Sequence, residues 1–129
     1  MVKSGGPHNG NKNLGERGEA IAVAYLKGQK FTIITRNFRC KAGEVDIVAK
    51  DGKTFVFVEV KARRSLSFGP PQLAVTLFKQ RQISKAALTW LAKNRLHDAV
   101  ARFDVIAILL RDHEVPAIEH IRNAFDLAY

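Results

Sequence analysis

The segment from Gly43 to Arg63, GEVDIVAKDGKTFVFVEVKAR, constrains the fold more than any other stretch. Two β-rich runs, 44–50 and 54–62, flank Asp51-Gly52, a dipeptide that favours a tight hairpin because glycine reaches φ > 0 at no steric cost. With Asp51-Gly52 as a two-residue turn, Lys50 stands opposite Lys53, Asp46 opposite Phe57 and Glu44 opposite Glu59. One face then carries Glu44, Asp46, Val48, Phe55, Phe57, Glu59 and Lys61. The other carries Val45, Ile47, Ala49, Val56, Val58, Val60 and Ala62. Both faces are mostly apolar, so the hairpin belongs inside a sheet covered on both sides. The charges collect at one end of one face, far from the turn, and solvation of a wet strand does not explain that.

The rest of the chain supplies the covers. Residues 1–13 (MVKSGGPHNGNKN) have little to bury and read as a flexible basic tail in which His8 is idle, leaving 14–129 as a single domain. Apolar or small residues at 14, 18, 21, 22, 25 and 26 line one side of a helix that Gly28 ends, with Glu19 at the edge of the apolar arc. A first strand is expected over 31–38. Beyond a loop with Gly69, Pro70 and Pro71, Thr76 N-caps a helix reaching about Asn94, its buried stripe being Ile83, Ala86, Ala87, Trp90 and Leu91. Residues 102–110 read as a buried strand and 115–121 as a more polar one. Helix, three strands, helix, two strands predict an α/β fold with a mixed central β-sheet flanked by helices on both faces.

Composition narrows the partners. At 129 residues and 47% hydrophobic, the chain can build one core but not two domains. Its 21 Lys and Arg against 12 Asp and Glu give a net charge of +9, most of which survives removal of Lys3 and Lys12. Such a surface draws polyanions by counterion release and steering. Nucleic acid is the expected partner, an anionic membrane surface the weaker one, and a basic protein without a polyanion partner the plain alternative. The single cysteine, Cys40, excludes an internal disulfide and a cysteine-cluster zinc site, and fits a half-buried apolar position in a reducing compartment. No apolar run approaches the ~20 residues of a bilayer span and no signal-peptide core opens the chain, so a cytoplasmic location off the membrane is expected.

Three carboxylates and one ammonium within a few residue spacings repel or titrate abnormally unless a cation or the lysine compensates them. Mg²⁺ takes hard oxygen ligands, usually one or two carboxylates with water and substrate phosphate. Asp46 and Glu59, diagonal across the hairpin, offer such a pair, and the Val60 carbonyl a third ligand. Lys61 points to the same face, where it can orient an attacking water or stabilise charge on a phosphoryl group. Glu59-Val60-Lys61 alone is a common coincidence; with Asp46 on the neighbouring strand it points to phosphodiester hydrolysis. A cross-strand salt-bridge network at a sheet end accounts for the same spacing without chemistry.

At these residues the chain resembles the YraN-type family of bacterial proteins, which are similar to nucleases of the restriction-endonuclease-like fold. The resemblance covers nearly everything after the tail. It rests on Gly15 to Ala20 (GERGEA), Arg36 to Arg39 (RNFR), Gly43 to Asp46 (GEVD), Val56 to Lys61 (VFVEVK) with Arg63, Phe68-Gly69, Ala74 to Thr76, Lys79-Gln80, Arg102 to Val105 (RFDV), Glu119 to Ile121 and Ala124-Phe125. It implies a site of the PD-(D/E)xK kind, with Asp46 as metal-bridging aspartate, Glu59 as second ligand, Lys61 as catalytic lysine and Mg²⁺ or Mn²⁺ as cofactor. In similar archaeal Holliday-junction resolvases a glutamate from the first helix joins the site, and Glu19 occupies the matching place. The proline of the name-giving motif is absent, which leaves Glu44 either ligand or bystander. Arg36, Arg39, Lys41, Arg63 and Arg64 flank the active end of the sheet, and Lys79 with Gln80 opens the following helix. Phosphate contacts from these residues would position a strand without reading its sequence, an ordinary solvated basic face being the alternative for each. Asp104 and His120 lack a ligand partner at metal spacing and read equally as a strand-end acid and a hydrogen-bonded histidine.

Functions of two classes fit. A metal-dependent endonuclease on DNA, branched or damaged duplexes included, uses Glu19, Asp46, Glu59 and Lys61; resolvase-like work would need a homodimer. A non-catalytic nucleic-acid-binding module on the same fold uses the basic surface alone. A hydrolase of nucleotides or other small phosphates would need a closed pocket too narrow for a strand.

Overall fold

A computed structural model describes residues 10–65 and 75–128, with side chains from residue 13. Its elements are α1 (Gly10–Gly28), β1 (Thr32–Cys40), β2 (Gly43–Asp51), β3 (Thr54–Arg63), α2 (Leu77–Lys93), β4 (Ala101–Leu109) and β5 (Ala117–Phe125). The strands form one sheet in the order β1-β2-β3-β4-β5, parallel between β3 and β4 and antiparallel elsewhere. A parallel pair cannot be closed by a hairpin, and α2 lies in the crossover that joins this one. The Gly69-Pro70-Pro71 loop, Phe68, Ala74 and most of the expected tail, His8 included, lie outside the described residues.

The sheet is covered on both faces, as its two-sided apolar strands require. Ala22 and Leu26 of α1 pack with Ile47, Val58 and Ile106 on one side. Ile83, Ala86, Ala87 and Trp90 of α2 pack with Val48, Phe57, Phe103 and Val105 on the other. Leu26, Ile47, Phe57 and Ile83 are fully buried, each contributing about 1.5–3 kcal/mol of transfer free energy. Thr76 caps α2 by accepting from Lys79 N, and Asn94 closes it. Cys40 is a free, half-buried thiol against the α2 side.

Several boundaries move. α1 begins at Gly10, four residues before its expected start. Its end is a Schellman closure, Phe31 N donating to Leu26 O and Lys30 N to Lys27 O, so Lys30 (φ 71) rather than Gly28 takes the left-handed position. β5 starts later and runs longer than 115–121: Val115 is 89% exposed, whereas Phe125 stacks on Phe103 with centroids 4.9 Å apart and carries the strand on. The hairpin register also differs. Asp51 pairs with Thr54 and Ile47 with Val58, so the turn is Gly52-Lys53 with Gly52 at φ 60. The glycine takes the first central position, where φ > 0 is needed, which moves the register by two residues and leaves the inward and outward sets of β3 intact.

Gly18 sets how closely α1 approaches the sheet: a Cβ there would stand 2.6 Å from the Ala62 Cβ. Gly18→Val is expected to lower unfolding stability by about 1–3 kcal/mol in urea titration, through overpacking against β3.

Candidate active site

The β2–β3 ladder ends at Ile47–Val58 although both strands continue, so the two backbones part beyond it. In that fork the Asp46 Oδ2 accepts the Val60 N–H at 2.8 Å, standing in for a backbone carbonyl. The alternation of β2 breaks at the same place. Val45 packs on the α2 side together with Val48, while Ile47 packs on the α1 side. This corrects the expectation that Asp46 and Val48 share a face and Val45 lies opposite. On the facing strand β1, Asn37, between the pairs Arg36–Ile47 and Phe38–Val45, is left-handed at φ 55, so both strands depart from regular geometry at this point.

Continuing the ladder one step sets Asp46 directly across from Glu59, not diagonal to it. The Glu59 side chain is 4% exposed. Its Oε2 lies 3.4 Å from Lys61 Nζ and 3.8 Å from Lys79 Nζ. Its Oε1 is buried without a hydrogen-bond partner. Burial, the Glu59 charge and a proton shared with Glu59 push the Asp46 carboxyl up to about 7, against a partial pull downward from the Val60 N–H and Lys79. Two acids held together at such cost, one with an orphaned oxygen, form a donor pair for a hard cation.

Glu19 reaches the same place from α1. It lines a half-open cleft of about 540 Å³ with Glu16, Arg36, Asn37, Asp46 and Val60. Its carboxylate, however, is held by Arg36 Nε at 2.8 Å and Asn37 Nδ2 at 3.1 Å. Among the described residues no three His, Cys, Asp or Glu side chains gather closely enough to hold a metal on their own. The protein therefore presents two converging carboxylates with a third tied back, which suits Mg²⁺ because that ion retains water and takes substrate phosphate.

The basic residues divide. Lys79 sits inside the site rather than on its rim. The sequence placed it only as a phosphate contact; the Thr76 cap fixes Lys79 in the first turn of α2, but its approach to Glu59 depends on how that helix docks. Gln80 Nε2 donates to Val75 O and secures the entry to α2. Arg36 and Arg39 border the cleft, and Arg39 pairs with Glu44 at 3.2 Å, which makes Glu44 a surface partner rather than part of the carboxylate pair. Lys41 is exposed in the β1–β2 turn. Arg64 lies 3.9 Å from Asp112, and Arg63 lines an apolar depression between β4 and β5 with Ala107 and Ile118.

Asp104 and His120 belong to another part of the molecule. Asp104 is fully buried and accepts from His120 Nε2 at 2.7 Å, Arg102 Nε at 3.0 Å and Asn123 N at 2.9 Å. Tyr25 Oη meets the other ring nitrogen of His120 at 3.1 Å. Burial would raise the Asp104 carboxyl, but these donors outweigh it and hold the group below the ordinary range. The cluster ties α1, β4 and β5 together.

Five strands and two helices in this order define an α/β protein compatible with the restriction-endonuclease-like fold. A family model described as "Uncharacterised protein family UPF0102" matches residues 18–108. The chain belongs to the UPF0102 family, which is the YraN-type family that its motifs resemble. It is 74% identical over 119 residues to a UPF0102 protein of Geotalea uraniireducens, covering 92% of this chain and 94% of the relative. A UPF0102 protein of Geobacter sulfurreducens is 64% identical over 124 residues, 96% of each chain. One of Desulfosudis oleivorans is 48% identical over 118 residues, 92% of this chain and 94% of the relative. Among the described residues no helix is long and apolar enough to cross a membrane.

Proposed function

We propose that this protein is a metal-dependent endonuclease that hydrolyses phosphodiester bonds of DNA with Mg²⁺ or Mn²⁺. The observation that carries the reading is the buried, unpartnered Glu59 Oε1 beside Asp46. A cation there would supply charge neutralisation and Lewis acidity toward a phosphate oxygen. Asp46 and Glu59 would hold it, with the Val60 carbonyl, at the edge of the same cleft, as a further ligand. Lys61 Nζ, 3.4 Å from Glu59 Oε2, would orient water or meet charge developing on the phosphoryl group. Lys79 balances the same carboxylate from α2. Arg36 fixes the direction of Glu19, which is within the cleft for recruitment as a third ligand. Arg39, Lys41, Arg63 and Arg64 would contact backbone phosphates. The half-open cleft speaks against the small-phosphate hydrolase. Action on branched DNA by a homodimer, in the cytoplasm, completes the proposal.

At low salt with Mg²⁺ or Mn²⁺, the protein is expected to nick linear, branched or single-stranded DNA. Lys61→Ala should lose nicking by about a hundredfold or more while retaining binding. No nicking of any of the three substrates with either metal would overturn the proposal. The tethering of Glu19 by Arg36 favours a second reading, a binding module without cleavage. That reading predicts steeply salt-dependent DNA binding unchanged by Asp46→Ala, and no calorimetric Mn²⁺ signal.

A further inference from the structure

The described phenylalanines are buried or half-buried with one exception. Phe78 is 68% exposed, and Leu77 beside it is 54% exposed. Both stand on the first turn of α2, and the next residue, Lys79, reaches to 3.8 Å from Glu59 Oε2. The one bare aromatic ring of the described chain is thus one residue from a side chain that touches the carboxylate pair. Apolar surface left in that position calls for a cover during function.

The charge of α2 says what covers it. Its 17 residues, LFKQRQISKAALTWLAK, include Lys79, Arg81, Lys85 and Lys93 and no carboxylate. Residues 78, 81 and 85 fall at i, i+3 and i+7, one stripe of the helix, and all three are exposed. The opposite face is the buried Ile83, Ala86, Ala87 and Trp90. An acidic or apolar protein partner would satisfy one half of such a stripe; a nucleic-acid strand satisfies both, with a base on the ring and phosphates on the cations. In a continuous duplex the base faces are already covered by their neighbours, so the ring has a partner only where a base is unpaired.

We infer that Phe78 stacks on an unpaired base next to the phosphodiester held at the carboxylate pair, with Arg81 and Lys85 tracking the same strand. The substrate class is then nucleic acid with an unpaired stretch: single strands, flaps and branch points rather than intact duplex. This deepens the nuclease reading and rests on its nucleic-acid binding, not on its cleavage.

The test is fluorescence anisotropy in EDTA, with labelled oligothymidylate and a labelled duplex of equal length. Phe78→Ala is expected to weaken binding of the oligothymidylate about tenfold and of the duplex less than about twofold, and Phe78→Trp to restore it. Arg81→Ala should weaken both and flatten the salt dependence. Equal losses on both probes, or none, overturn the stacking. So does a Phe78→Ala change in the sedimentation of the free protein without a change in binding, which would assign the ring to a contact between two copies. Wild-type protein that binds neither probe sinks the nucleic-acid reading itself.

Discussion

Asp46→Asn is expected to abolish metal-dependent cleavage, by about a thousandfold or more, while making the metal-free protein harder to unfold at pH 8. The two effects have one origin. Asp46 is buried against Glu59 and its carboxyl is pushed up to about 7 from 3.8. Asparagine can still accept the Val60 N–H, and its amide can donate to the orphaned Glu59 Oε1. A carboxyl whose folded-state pKa is raised contributes stability that is complete below the unfolded value and is lost as pH rises through the folded one. Wild-type stability should therefore fall by about 4 kcal/mol between pH 4 and pH 8, and Asp46→Asn should remove that slope. Mn²⁺ should raise the wild-type Tm more at pH 8 than at pH 5, because the proton must leave before the ion binds. Urea titrations across this range check the first claim and thermal melts the second; a flat wild-type profile would contradict both.

Asp104→Ala is expected to cost about 3–5 kcal/mol and to leave the cleft chemistry untouched except through unfolding. The aspartate is the common acceptor for His120, Arg102 and the Asn123 N–H. Its removal leaves the Nε2 of an imidazole that is 4% exposed without its partner, and leaves the Arg102 guanidinium, 19% exposed, with Asp51 alone at 3.0 Å. The pH dependence has the opposite sign to that of Asp46. A depressed carboxyl contributes stability above the unfolded value and loses it as pH falls through the folded one. Acid unfolding of the wild type below about pH 4 should accordingly be steeper than that of Asp104→Ala. Circular dichroism during acid titration measures it.

The α/β architecture was readable because the strongest signals were redundant. Val45 to Ala49 and Phe55 to Val60 are apolar on both faces, which only an interior hairpin with two covers satisfies, and the Thr76 cap with the Ile83–Trp90 stripe fixed α2. The two-residue register shift leaves the alternation of β3 unchanged, so Glu59 and Lys61 share a face as read, and it sets Asp46 across from Glu59 rather than Phe57. The break at Asp46 was not legible. It coincides with a left-handed Asn37 on the facing strand, and nothing in the β2 sequence carries that information. Lys79 was read only as a phosphate contact because its approach to Glu59 depends on how α2 docks, where Gly43 leaves room for the Gln82 carbonyl at 2.6 Å from its absent Cβ. The capture of Glu19 by Arg36 was likewise hidden, since each residue fitted the cleft separately.

The fork between β2 and β3 has a consequence for how a ligand docks. Glu19 and Arg36 belong to the α1 layer, and Lys79 and Phe78 to the α2 layer, while the two central acids sit at the seam between them. A ligand that bridged both acids would touch both layers at once, meeting the cleft of Asp46 and Glu19 on one side and Lys79 on the other. A substitution that shifts either helix would then alter how such a ligand is gripped without touching the acids themselves.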